Sequence, residues 1–147
     1  MSQSAETSCA RILLVDDHPL YRNGLRQLLS GHDGFAVCGE AGTLADARRL
    51  CDEFTPGLVT LDLVMPDGQG LDFLRESREW AKPPSVLIIT MKKADDPIAL
   101  DAMRIGAAGF LCKESSPDDV VEAVTQICSG RTHLSPELVA QLIQRRR

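Results

Sequence analysis

Five polar positions in this sequence stand directly at the ends of short apolar runs. Asp16-Asp17 follows Ile12-Leu13-Leu14-Val15, Asp62 follows Leu58-Val59-Thr60-Leu61, Thr90 closes Val86-Leu87-Ile88-Ile89, and Lys113 follows Gly109-Phe110-Leu111-Cys112. Carboxylates brought to one place repel one another and call for a cation. Ligation by oxygen, without Cys or His, favours a hard ion, and Mg²⁺ fits because it takes a few carboxylates together with waters and phosphate oxygens. Such an ion neutralises an incoming phosphoryl group and lets a carboxylate attack phosphorus in line, which leaves an aspartyl phosphate. Lys113 would add a point charge for a phosphoryl oxygen and Thr90 a hydroxyl donor.

Each residue taken singly has a plainer reading. An acid pair before a helix is an N-cap with a dipole-compensating charge. Asp62 before a turn is an Asx-turn residue, a threonine can simply end a strand, and a lysine leaving a sheet snorkels to solvent. The chemical reading rests on all five occurring together.

The elements that must hold these residues follow from the apolar pattern. The short continuous runs read as buried strands, with Phe35-Ala36-Val37-Cys38 as the second of five. Between them lie segments of helical period. Pro19 opens one with Leu25, Leu28 and Leu29 on a face; Thr43 caps one carrying Leu44, Ala47, Leu50, Cys51 and Phe54. A turn-rich loop, Met65 to Gly70, precedes a helix through Leu71, Leu74 and Trp80. Asp96-Pro97 and Ser116-Pro117 open the last two of the five helices, which Gly106 and Gly130 close. Five strand–helix alternations predict an α/β fold with a parallel sheet covered by helices on both faces. In such a sheet the carboxyl ends of the strands share one rim, where sites form. One more helix, through Leu138, Leu142 and Ile143, is expected beyond Gly130 as an appendage.

The bulk composition narrows the function further. The chain has 147 residues, 44% of them hydrophobic, which is enough for one domain with a core. Its formal charge is −5, so this stretch gains little from counterion release and is not expected to bind nucleic acid by itself. Residues 1–10 are small and polar and read as a flexible tail, not a signal peptide. No apolar run approaches the ~18 residues that would span a bilayer. The five cysteines form neither a C-x-x-C pair nor a zinc spacing, and read as reduced thiols in a cytoplasmic protein.

With these residues in order, the sequence resembles the receiver domains of bacterial two-component response regulators, and within them the NarL/FixJ (LuxR-type) class. The resemblance runs from about Arg11 to Gly130 and implies a flavodoxin-like (βα)5 doubly wound parallel sheet with strand order 2-1-3-4-5. It is carried by Ile12-Leu13-Leu14-Val15-Asp16-Asp17-His18-Pro19, by Leu61-Asp62-Leu63-Val64-Met65-Pro66 with Gly68 and Gly70, by Thr90, and by Gly109-Phe110-Leu111-Cys112-Lys113. It implies that Asp62 is the phospho-acceptor, charged from a phosphohistidine on a sensor histidine kinase, with Lys113 and Thr90 assisting. It also implies that Asp17, Asp62 and the Val64 carbonyl ligate Mg²⁺, with Asp16 helping directly or through water. Thr90 and Phe110 would form a switch pair, the hydroxyl drawn inward and the ring following. The family's partners would be the kinase, a second copy of the chain in a phosphorylation-dependent homodimer, and DNA through a C-terminal helix-turn-helix module beyond this sequence. On this reading the chain is a signalling module and not an enzyme. It divides into a tail (1–10), a receiver domain (11–130) and a C-terminal linker helix (131–147), and is expected to be a piece of a transcription regulator.

Three details depart from the commonest family pattern. Met91 follows Thr90 where a small residue is frequent, which predicts a narrower entrance. Glu114 follows Lys113 where proline is often found, and Gly57 stands in place of an acid. His18 lies beside the acid pair and is expected at a helix start, without a ligand role. Rival functions have less support. An interaction module that signals without phosphorylation would not need the full acid set. A phosphatase with a D-x-D nucleophile after its first strand would not carry Asp16-Asp17 adjacent. A flavin site would need a less acidic first loop.

Overall fold

The computed structural model describes residues 11–145. The chain runs β1 (Arg11–Val15), α1 (Pro19–Ser30), β2 (Ala36–Ala41), α2 (Leu44–Phe54), β3 (Leu58–Leu61), β4 (Val64–Met65) and β5 (Gly68–Gln69). It continues through α3 (Gly70–Ser77), β6 (Ser85–Thr90), α4 (Pro97–Ile105), β7 (Gly109–Cys112), α5 (Pro117–Cys128) and α6 (Pro136–Arg145). The tail expected at 1–10 lies outside the described residues.

The central sheet has five strands in the order β2-β1-β3-β6-β7, all parallel. Counting only these sheet strands, this is the 2-1-3-4-5 order that the family resemblance implies, with the winding reversing beside β1. Because side chains alternate across a strand, each apolar run feeds two cores. Leu13, Val15, Val59, Leu61, Val86, Ile88 and Phe110 pack towards α2, α3 and α4, burying Ala47, Phe73, Leu74, Ala99 and Ala102. Ile12, Leu14, Leu58, Leu87, Ile89 and Leu111 pack towards α1 and α5, against Leu29, Val120, Val124 and Ile127. A sheet buried on both faces explains why the strands read as unbroken apolar runs.

Local signals set the helix starts. Thr43 Oγ1 accepts from the Asp46 N–H, the Asp96 carboxylate from the Ile98 N–H and Ser116 Oγ from the Asp119 N–H, while Pro97 and Pro117 occupy first-turn positions that need no donor.

Three elements differ from expectation. β2 begins at Ala36 and runs past Cys38 to Ala41, because its later residues keep pairing with β1 as far as Val15. α3 stops at Ser77, where the seryl hydroxyl donates to the Leu74 carbonyl and tight turn bonds follow; Trp80 lies outside the helix, its ring edge-on to Phe73 at 5.6 Å. The loop after β3 contains a small antiparallel hairpin, with Val64 opposite Gln69 and Met65 opposite Gly68.

The appended helix α6 does not stand free. Leu138 is fully buried in the core that also holds Ala94, Ala99 and Phe110. Gln141 Nε2 donates to the carbonyls of Ala94 and Asp96, in the segment between β6 and α4.

Candidate functional site

The parallel ladder carries the site residues one step beyond the strands. The Asp16 N–H donates to the Ala41 carbonyl of β2, the Asp62 N–H to the Val15 carbonyl of β1, and the Lys113 N–H to the Thr90 carbonyl of β6, at 3.0, 3.1 and 2.7 Å. Each backbone is therefore held by its neighbouring strand, and the side chains leave the sheet from fixed points. The Arg22 guanidinium adds a bond from α1 to the Asp16 carbonyl and pairs with Glu40.

The side chains meet in a compact polar cluster. Lys113 Nζ donates to Asp16 Oδ2 at 2.7 Å and to Asp62 Oδ2 at 2.9 Å, with all three side chains 4–6% exposed. Thr90 Oγ1 donates to the other Asp62 oxygen, Oδ1, at 2.8 Å. Thr90 thus already turns inward, and Phe110, paired with Ile88 on the neighbouring strand, is buried at 1% exposure. Burial works against the charge on Lys113, but its hydrogen bonds to Asp16 and Asp62 and their negative charge outweigh burial and raise its pKa above the usual lysine range.

The loop from Asp62 to Gly70 is pinned from several sides. The Gly70 N–H donates to the Leu63 carbonyl at 2.7 Å, and a Cβ at Gly70 would lie 2.4 Å from the Asp62 carbonyl oxygen. Only glycine permits that approach. Asp67 reaches to the start of α2 and accepts from the N–H groups of Leu44 and Ala45, at 2.8 and 3.0 Å. Those backbone donors hold its carboxyl below the usual carboxylate range. The Asp62 loop and the α2 N-terminus are therefore one assembly.

Asp16, Asp17 and Asp62 bring carboxylate oxygens together with His18, one donor atom from each lying within 4.8 Å of the others. Asp17 Oδ1 is buried without a hydrogen-bond partner. An orphaned carboxylate oxygen beside two further carboxylates fits a hard divalent cation. The Val64 N–H lies 3.4 Å from Asp62 Oδ1, and the Val64 side chain faces solvent.

Two residues enter the site against the reading of the sequence. His18, expected only to start a helix, is the N-cap residue of α1 but makes no side-chain capping bond. Its Nδ1 instead lies 2.8 Å from Lys113 Nζ and 2.9 Å from Asp16 Oδ1. Tyr21, which no motif marked, lays its ring 5.0 Å from Lys113 Nζ. Burial first, then the charge of Asp16, pushes the Tyr21 hydroxyl up to about 12. Its place one helical turn beyond His18 was the available signal. Met91, expected to narrow the entrance, stands at the surface with 60% of its area exposed. All peptide bonds among the described residues are trans, Lys113–Glu114 included. Burial pushes Cys51 up to about 12 and raises Cys38, so neither offers a thiolate near neutral pH.

The profile of the response regulator receiver domain matches residues 12–125, most of the chain. The chain belongs to the response regulator receiver family. Among curated relatives, the nitrate/nitrite response regulator NarL of Escherichia coli K12 is 34% identical over 133 residues and the response regulator GacA of Pseudomonas aeruginosa 32% over 132. Each alignment takes in 90% of this chain but 61% of the relative, so the chain spans about three-fifths of their length. The crystal structure of a LuxR-family two-component response regulator from Aurantimonas sp. SI85-9A1 superposes with a TM-score of 0.84 at 38% identity, covering 92% of this chain and 96% of the other. Asp16, Asp17, Asp62 and Lys113 accordingly form the acidic phospho-acceptor pocket of a receiver domain, a signalling module and not a classical enzyme. No helix among the described residues is long and apolar enough to cross a membrane.

Proposed function

We propose that this receiver domain takes a phosphoryl group onto Asp62 from the phosphohistidine of a sensor kinase, with Mg²⁺, and that the modified pocket resets the surface formed by β6, α4 and β7. The observation that carries this is the double grip on Asp62: Lys113 Nζ on Oδ2 at 2.9 Å and the Thr90 hydroxyl on Oδ1 at 2.8 Å. A carboxylate oxygen attacks phosphorus, the P–O bond forms as the P–N bond to the kinase imidazole breaks, and the imidazole departs with the bonding pair. Asp17, Asp62 and the Val64 carbonyl would hold the Mg²⁺, with Asp16 helping directly or through water; the ion supplies charge neutralisation for the phosphoryl oxygens.

Lys113 follows the new charge by exchanging its Asp62 contact for a phosphoryl oxygen while keeping Asp16. Thr90 donates to the same group, and Phe110, on the strand beside it, follows its position. Residues 11–130 make up the receiver unit, and 131–147 the segment that joins it to an output module. By analogy with the family, that module would be a DNA-binding helix-turn-helix whose pairing follows phosphorylation-dependent dimerisation, and the whole would work in the cytoplasm.

The test is the intact mass after incubation with phosphoramidate or acetyl phosphate, with and without Mg²⁺, beside Asp62→Asn. The expected result is a gain of one phosphoryl group that needs Mg²⁺ and is absent from the variant. No gain from these donors or from histidine kinases would support a module that signals without phosphorylation.

A further inference from the structure

Resting on the reading that the three aspartates hold a divalent cation, we propose that His18 is an additional metal ligand. Its imidazole nitrogen converts an all-oxygen magnesium pocket into a mixed site that takes Mn²⁺ and Zn²⁺ more tightly than carboxylates alone would. His18 Nδ1 lies 2.9 Å from Asp16 Oδ1, 3.4 Å from Asp17 Oδ1 and 3.7 Å from Asp62 Oδ2. Donors held at ~2.1 Å from one ion stand between ~3 Å (adjacent) and ~4.2 Å (opposite) apart, and the three separations fall within that span.

The surroundings of the ring strengthen the case. Lys113 Nζ stands 2.8 Å from His18 Nδ1. Asp17 Oδ1 beside it is buried with no hydrogen-bond partner. A cation among these atoms satisfies that orphan. The ammonium already foreshadows it, since one Nζ touches Asp16, Asp62 and His18.

His18 has no competing structural duty as a cap, and its side chain is 58% exposed, so ions reach it from solvent. Carboxylate and water suit Mg²⁺, whereas an imidazole shifts preference towards transition metals.

Pulsed EPR of the chain loaded with Mn²⁺ tests this directly, because a coordinated imidazole imprints ¹⁴N modulation on the manganese signal. The expected result is ¹⁴N modulation in the native chain and none in His18→Ala. By calorimetry, the substitution should lower Mn²⁺ and Zn²⁺ affinity ~tenfold or more and Mg²⁺ affinity by less than ~threefold. Bound Mn²⁺ without ¹⁴N coupling, coupling that persists in His18→Ala, or a parallel loss for all three metals would overturn the proposal while leaving the aspartate cation site standing. Failure of the native chain to bind any of the three ions would overturn both.

Discussion

Asp16 and Asp62 are buried carboxylates whose side chains are 6% and 4% exposed, and both rest on Lys113. Removing the ammonium leaves two like charges facing each other without compensation. Lys113→Ala should therefore lower stability by about 3 kcal/mol in urea denaturation without divalent ions, and Mg²⁺ should restore part of the loss. A loss under ~0.5 kcal/mol would mean that water already screens the pair. The same contacts set an alkaline limit. Lys113 has a folded pKa above the ordinary 10.5, so its stabilisation is complete below that value and fades as pH rises through the raised one. Tyr21 behaves alike: its proton is held from 10.0 up to about 12, and stability falls as pH climbs through that interval. Absorbance titration of the single tyrosine should find a midpoint near 12. A midpoint at 10.0 would show that the ring is not buried against the pocket.

At the scale of elements, the acceptor loop is constrained both by its own hairpin and by the start of α2. Its hairpin, β4 with β5, and the first residue of α3 fold the backbone directly back over Asp62. A methyl group at Gly70 would meet the Asp62 carbonyl oxygen and the Leu63 Cα at 2.4 and 2.8 Å, and backbone cannot swing aside as a side chain can. Gly70→Ala should cost about 2–3 kcal/mol and also slow phosphoryl uptake, because the strain is released by moving Asp62. Thermal unfolding and the mass assay check the two effects separately; unchanged uptake would show that α3 yields instead. Asp67 extends the constraint to α2, so that helix shares the loop's position although no residue of α2 enters the pocket.

The whole molecule joins the pocket to a distant surface through α6. Thr90 ends β6, the segment after it carries the Ala94 and Asp96 carbonyls, and Gln141 of α6 holds both. Leu138 fixes the helix in the core that contains Phe110. A shift of the pocket therefore bears on the docking of α6. Leu138→Ala should weaken that docking by about 2–3 kcal/mol. In hydrogen exchange, residues 136–145 should lose protection while β1, β3 and β6 keep theirs. Uniform loss across the sheet would mean instead that α6 is part of the global folding unit. Outward, α6 presents Val139, Leu142 and Ile143 to solvent.

The sequence by itself determined the layers of a parallel α/β sheet and the convergence of Asp16, Asp17, Asp62, Thr90 and Lys113. Those follow from local period and from the rule that parallel strands end on one rim, which needs no knowledge of distances. It did not reveal the β4–β5 hairpin, because two-residue strands have no period to detect. The cap that Asp67 gives α2 was equally hidden, since its donors lie 22 and 23 residues away in the chain. His18 and Tyr21 escaped for a related reason: a helix start fixes the backbone of residue 18 but not where its ring points. That is set only in the tertiary structure, where the ring lies between Lys113 and the carboxylates and the Tyr21 ring lies beside the ammonium.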